Sequence, residues 1–334
     1  MLNPKSESDS NNISSDSEDM RGVRSSGRES YVFRANKPGG LLGVHADLME
    51  EALRPDEGLL YLLYSPIFQE KKAHFGLHAT PASHAVAVTG ERFIISEDRH
   101  RKGIAPTIQS IPFDQVLYVE LGNAFLLGWF SVELVFDDKP SSTTLFFSAT
   151  TGMKHFDIAV SEYRRMTGFF HNNLPAQVMN WTDIWQHTPK IEVDHLKPLI
   201  LGEELPLNVL RSSERWISRQ RRWKSIPVCL STNGIFVSTN FGFVYATEEQ
   251  PVRPEMYTFG VNVSCIPINV VESARLVEKR MYGGHLFVLR VEIARGAVTV
   301  DFDIPFDESS LKDAESLIYF LNQGRRLEGE ACIS

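Results

Sequence analysis

Cysteine is nearly missing from this chain. Its three cysteines, Cys229, Cys265 and Cys332, are odd in number, far apart and without Cys-x-x-Cys spacing. That excludes a disulfide framework and the common zinc-site patterns, and predicts a reducing, cytoplasmic setting. Long apolar runs are missing as well. None approaches the roughly 18 to 20 residues needed to cross a bilayer, and the Ser- and Asp-rich N-terminus lacks the basic-then-apolar pattern of a secretory signal. Neither export nor membrane spanning is expected, with peripheral contact at a membrane left open. Positive charge is not in excess either. A formal net charge of -8 opposes generic binding to nucleic acid, which is driven by neutralising phosphates.

Motifs that carry chemistry are equally sparse. No Gly-rich phosphate loop follows a strand-like run, and no Gly-x-Ser-x-Gly nucleophile motif occurs. The histidines His74, His78, His84, His100, His155 and His285 fall at no metal-ligand spacing beyond the pair His74 and His78. That pair is four apart in a Gly-containing stretch poorly suited to a helix. Cys229 and Cys265 sit in β-like runs and are expected in the core. Asp194-His195 is a lone dyad in a linker. The expectation is therefore a non-catalytic protein with no metal and no cofactor.

A length of 334 residues fits two ordinary domains plus a tail, and 43% apolar with 23% charged residues is the composition of a chain that folds. Residues 1–40 carry little to bury and are expected to form a disordered, acidic, Ser-rich tail. Its segment Ser14-Ser15-Asp16-Ser17-Glu18-Asp19 has the acid-flanked serines that acidophilic kinases modify. From Leu41 the chain turns to short β-like runs: Leu59 to Tyr64, Ala85 to Val88, Arg92 to Ser96, Val116 to Leu121, Phe130 to Phe136 and Thr144 to Phe147. Thr89-Gly90-Glu91 reads as a tight hairpin turn. In Phe130 to Phe136 every second residue is apolar, the period of a half-buried strand. Phe156, Ala159, Val160, Tyr163 and Met166 recur instead at helical spacing.

Residues 169–197 read as a linker with short helix, in which Trp181 and Trp185, four apart, share a face. The same series of elements then returns. Val86 to Ser96 aligns without gaps on Val228 to Ser238, Ser110-Ile111-Pro112 on Cys265-Ile266-Pro267, and Val132-Glu133-Leu134 on Val291-Glu292-Ile293. A closing helix is again expected, carried by Leu311, Ala314, Leu317, Ile318 and Leu321. The predicted organisation is a first module over 41–168, a second over 198–326, and a flexible C-terminus over 327–334.

This order, with the acidic lead-ins Asp56-Glu57 and Glu203-Glu204, the hairpin Val88 to Ile95, Ile111-Pro112-Phe113 and a terminal helix, resembles pleckstrin-homology-like domains of the bacterial PH and GRAM varieties. The resemblance covers about residues 45–168 and 198–324. It implies a mainly β fold of two PH-like, partly open β-barrels, each capped by a C-terminal α-helix. Binding is implied, and the ligand is left open among lipid, peptide and self-association.

Two segments are the candidates for that binding. Arg211, Arg215, Arg219, Arg221, Arg222 and Lys224, interleaved with Trp216 and Trp223, fall between the first and second strands of the second module, where the resembling lipid-binding domains carry a cationic loop. Arginine forks bind phosphate oxygens in pairs and indoles favour membrane interfaces, which suits an anionic phospholipid or an acidic protein. A solvated or internally paired basic stretch is the plainer account. The second segment, Phe125, Leu126, Leu127 and Trp129, is an apolar turn where a polar one is usual, and suggests contact between the modules, a homo-oligomer or a membrane. A third stretch, Arg99-His100-Arg101-Lys102, follows Glu97-Asp98 directly and reads as an ordinary polar loop. Two readings stand: an adaptor whose second module meets an anionic surface or acidic partner, or a self-associating or protein-binding scaffold with no lipid ligand.

Overall fold

The computed structural model describes residues 30–67, 82–101, 103–168, 178–221, 224–250, 260–281 and 284–331. Strands account for 51% of the described residues and helices for 27%, so the expected mainly β class holds. In chain order the first half runs β1 (Phe33–Arg34), α1 (His45–Ala52), β2 (Leu59–Ser65), β3 (Ser83–Thr89), β4 (Arg92–Asp98), β5 (Thr107–Pro112), a 3-10 turn (Phe113–Gln115), β6 (Val116–Ala124), β7 (Leu127–Phe136), β8 (Lys139–Ser148) and α2 (Ala149–Thr167). Then come α3 (Trp181–Gln186) and α4 (Lys190–Leu196). The second half runs β9 (Pro206–Ser212), β10 (Arg215–Arg221), β11 (Lys224–Ser231), β12 (Gly234–Thr239), β13 (Gly242–Glu248), β14 (Gly260–Pro267), a 3-10 turn (Ile268–Val270), β15 (Val271–Met281), β16 (Gly284–Arg295), β17 (Val298–Phe306) and α5 (Leu311–Ala331).

Four antiparallel sheets result, with strand orders β1-β2-β3-β4-β5, β8-β7-β6-β14-β13-β12-β9, β15-β16-β17 and β10-β11. Each half thus repeats one order: a four-stranded meander, Ile-Pro into a 3-10 turn, three more strands and a helix. The halves are not separate bodies. β6 pairs with β14, from Val119↔Cys265 to Ala124↔Gly260, and so fuses the three-stranded sheet of the first half with the four-stranded sheet of the second.

Side-chain alternation explains the layers. In β7, Phe130, Val132 and Leu134 enter the largest core while Ser131 and Glu133 face the other way. Phe156, Ala159, Val160 and Tyr163 of α2 are fully buried in that same core, whereas Met166 is exposed. In β12 and β13 both faces are covered: Ile235, Val237, Val244 and Ala246 join the large core, and Phe236, Phe243 and Tyr245 pack under β15–β17 and α5. The first sheet is likewise two-sided, because α1 covers its back through Met49, Leu62, Ala85, Ala87 and Ile94. That two-sided burial is why these runs read as continuous apolar stretches.

Several expectations change. Val32 and Ala35 are buried and β1 pairs with β2, so the fold begins before residue 41; residues 1–29 lie outside the described set. α5 continues to Ala331, past the expected end at 326. The gapless repeat over Val86 to Ser96 is out of step by one strand. β11 pairs with β10, and the partners of β12 are β9 and β13. The structural counterpart of β3-β4 is therefore β12-β13, while the other two matches, Ile111-Pro112 with Ile266-Pro267 and Val132 to Leu134 with Val291 to Ile293, fall on corresponding strands.

Candidate functional site

The insertion between β9 and β12 is a ribbon made of β10 and β11 alone. Its ladder runs from Arg215↔Ser231 through Ile217↔Val228 and Arg219↔Ile226 to Arg221↔Lys224, with a bulge between Arg215 and Trp216. Strand alternation puts Ile217, Arg219, Ile226 and Val228 on one face. Arg219 is exposed, and Ile226, directly opposite, is 39% exposed. The other face holds Trp216, whose indole N–H donates to the Glu214 carboxylate, and Ser218, bonded to Ser225. Arg221 and Lys224 close the ladder at its tip, where their side chains are not described, and Arg222 and Trp223 fall outside the described residues.

Arg211 does not join this surface. It lies on β9, opposite Ile235, its carbonyl accepts from the Asp307 N–H at 2.9 Å, and its Nε is buried without a partner among the described residues. Burial lowers its pKa, and Asp313 on α5 works against that. Arg215, half-buried beside the bulge, forms the root of the ribbon.

The apolar turn divides in the same way. Phe125 and Leu126, each 59% exposed, form the two-residue connection of β6 to β7, and Phe125 adopts a left-handed φ of 55°. Leu127 is buried. Trp129 lies over the sheet and donates from Nε1 to Asn262 Oδ1 on β14 at 3.2 Å, so it contributes to the junction between the halves. The stretch thus supplies an inter-half contact through Trp129 and an exposed tip through Phe125 and Leu126.

The remaining sequence candidates have structural partners. Arg99 pairs with Glu97 and His100 lies 3.3 Å from Asp98, so the two carboxylates that precede this cluster offset part of its charge. Lys102 lies outside the described residues, as do His74 and His78. Trp181 and Trp185 stack with centroids 4.8 Å apart, packed against the large core, and Trp181 Nε1 donates to the Glu204 carbonyl at 2.7 Å. His195 bridges the Ile191 carbonyl and Asn123 Oδ1 and makes no dyad with Asp194. Cys229 and Cys265 are buried, and burial pushes the Cys265 thiol up to about 12, which leaves no thiolate for chemistry.

One polar constellation escapes a sequence reading because it gathers residues from α1, β3, β4 and the loop after it. His45 Nδ1 lies 2.7 Å from Ser96 Oγ and its Nε2 2.9 Å from Ser83 Oγ; that hydroxyl is also 2.8 Å from His100 Nε2, beside Asp98. The order Asp98, His100, Ser83 has the connectivity of an acyl-transfer triad. Ser83, however, is fully buried and its oxygen is already engaged by two imidazoles, so no substrate carbonyl reaches it. Among the described residues no group of three or more His, Cys, Asp or Glu is disposed to hold a metal ion. No helix among them is long and apolar enough to cross a membrane. No family model matches the chain, and no curated protein matches it.

Proposed function

We propose that this chain is a tandem of pleckstrin-homology-like modules that works by binding, and that the β10-β11 ribbon of the second module engages an anionic membrane surface. The observation that carries the reading is Arg219 paired across the ribbon with the exposed Ile226. A cation and a branched apolar residue on one face of a self-contained two-stranded projection suit a phosphate-bearing interface better than water. The guanidinium fork takes phosphate oxygens in pairs, and Ile217, Ile226 and Val228 supply apolar area at the acyl boundary. Residues 214–224 hold Arg215, Arg219, Arg221, Arg222 and Lys224 against the single acid Glu214, so the segment is cationic on a chain that is acidic overall. The repeated order of four strands, Ile-Pro, three strands and a helix supports the modular assignment.

The test is co-sedimentation with vesicles of phosphatidylcholine alone and with added phosphatidylserine. Binding is expected only to the acidic vesicles and should weaken with salt, because each Lys or Arg near such a surface contributes about 1 kcal/mol. Changing Arg219, Arg221 and Arg222 together to Glu should abolish it and leave the melting temperature nearly unchanged. Equal sedimentation of variant and parent removes the ribbon from the binding site. Binding of the parent to neither vesicle, with capture of an acidic peptide instead, would make the partner a protein.

A further inference from the structure

We propose that His45 is an acid-sensitive latch, holding the N-terminal end of α1 on the back of the first sheet when neutral and releasing it when protonated. The case starts from donor capacity. Asp98 beside His100 Nδ1 favours a proton on that nitrogen, which leaves His100 Nε2 to accept from the Ser83 hydroxyl. Ser83 Oγ can then accept from His45 Nε2–H, and His45 Nδ1 accepts from Ser96 Oγ–H. While His45 is neutral, every imidazole and hydroxyl hydrogen in this line has an acceptor. A proton on Nδ1 turns Ser96 Oγ from donor into acceptor, so that the hydroxyl hydrogen of a fully buried side chain loses its partner, and it places a cation where the nearest carboxylate already serves His100.

Among the described residues the carboxylate that acts on His45 is Asp98, and it already serves His100. Behind His45 stands the Tyr64 ring, edge-on at 5.6 Å; β5 brings no ionisable side chain, and on β4 Glu97 points to the opposite face with His84. Asp98 favours the charged form of His45 and His100 opposes it. Burial outweighs both and pushes the His45 pKa down to about 4. A histidine whose docked pKa lies below its free value of about 6.5 stabilises docking fully above that value and loses the contribution as pH falls towards the docked pKa. The opposite end of α1 has a different anchor, since Arg92 donates to the Ala52 carbonyl at 3.1 Å. Release therefore starts at His45 and uncovers Met49, Leu62, Ala85, Ala87 and Ile94.

Hydrogen exchange on the full chain, corrected for intrinsic rates, reads this directly. Between about pH 7.5 and about pH 4.5, protection of amides in the first turns of α1 should fall by about tenfold or more while the β12-β13 amides hold. In His45→Gln the carboxamide bonds both serines without titrating, and the fall should vanish. His84→Gln serves as the control, because His84 is also held down to about 4 by burial but lies on the other face of the sheet. Unchanged α1 protection in the parent, or a fall that persists in His45→Gln and disappears in His84→Gln, overturns the assignment.

Discussion

The two halves of the molecule each place a glutamate ahead of their first long strand and a threonine at the end of their second, and they neutralise the glutamate differently. In the first half Glu57, ahead of β2, takes Arg92 of β4, Nε to Oε1 at 2.7 Å, next to Thr89, whose hydroxyl bonds the Arg92 carbonyl at 3.1 Å. In the second half Thr239 Oγ1 lies 2.6 Å from Glu204 Oε1 and 3.0 Å from the Gly242 carbonyl. Gly242 occupies the place of Arg92. No side chain fits there: its φ is 136°, and a Cβ would come within 2.5 Å of the Ile266 carbonyl. The missing cation is supplied by Arg164 of α2, which belongs to the first half; its guanidinium bonds both Glu204 oxygens and the Leu199 carbonyl. One half is electrostatically self-sufficient and the other is completed by its neighbour. With the β6-β14 pairing, the halves share one sheet and one buried ion pair.

The largest effect should come from breaking the borrowed pair. Arg164 and Glu204 are 5% and 0% exposed, so Arg164→Ala strands a buried carboxylate and is expected to cost about 3 to 5 kcal/mol in urea unfolding. The transition should stay single, because the damage spans both halves. A loss below about 1 kcal/mol, or two separate transitions, would mean that the halves stand independently.

The self-sufficient pair should matter less. Arg92→Ala is expected to cost about 1.5 to 3 kcal/mol, as its carboxylate partner retains the Arg54 N–H at 3.3 Å. The hydrogen bonds from Arg92 hold the Glu57 carboxyl down to about 2. A folded pKa below the unfolded value of about 4.3 gives stability that is complete above that value and is lost as pH falls towards 2. In Glu57→Gln this acid-limb slope should flatten. An unchanged slope would place the acid sensitivity in another carboxylate.

How far this was legible in the sequence depends on the range of the interaction. Local periodicity announced β2, β3, β4, β6, β7, β8 and α2, since alternation and helical spacing are written in neighbouring residues. It did not announce α1, whose polar residues Asp47, Glu50 and Glu51 dilute its buried Met49, or β5, an edge strand with half of its residues exposed. The repeat was visible, but apolar similarity alone slid it onto β11 and β12. The register is fixed by Thr89 with Thr239 and by Phe93 with Phe243, and the inserted ribbon hides that correspondence. Arg211 looked continuous with the basic stretch because sequence proximity does not show that β9 ends at Ser212 and the ribbon begins at Arg215. The acidic lead-ins are visible in the sequence; their partners, 35 and 40 residues away, are not.

The smallest expected effect concerns the apolar turn of the first half. Phe125-Leu126 joins β6 to β7, while the matching connection of β15 to β16 follows the charged run Glu278-Lys279-Arg280. Phe125 holds a left-handed backbone that aspartate tolerates better, and both side chains are largely exposed, so Phe125→Asp with Leu126→Asp should change stability by no more than about 0.5 kcal/mol. Leu127 is the wrong residue for this purpose, because it is buried and its replacement by Asp would test folding instead. Under the membrane reading the mass seen by light scattering stays the same in parent and double variant, and vesicle binding through the ribbon persists. A parent oligomer that becomes monomeric in the double variant would shift the first half from structural support to assembly. The asymmetry between the halves would then lie in function as well as in electrostatics.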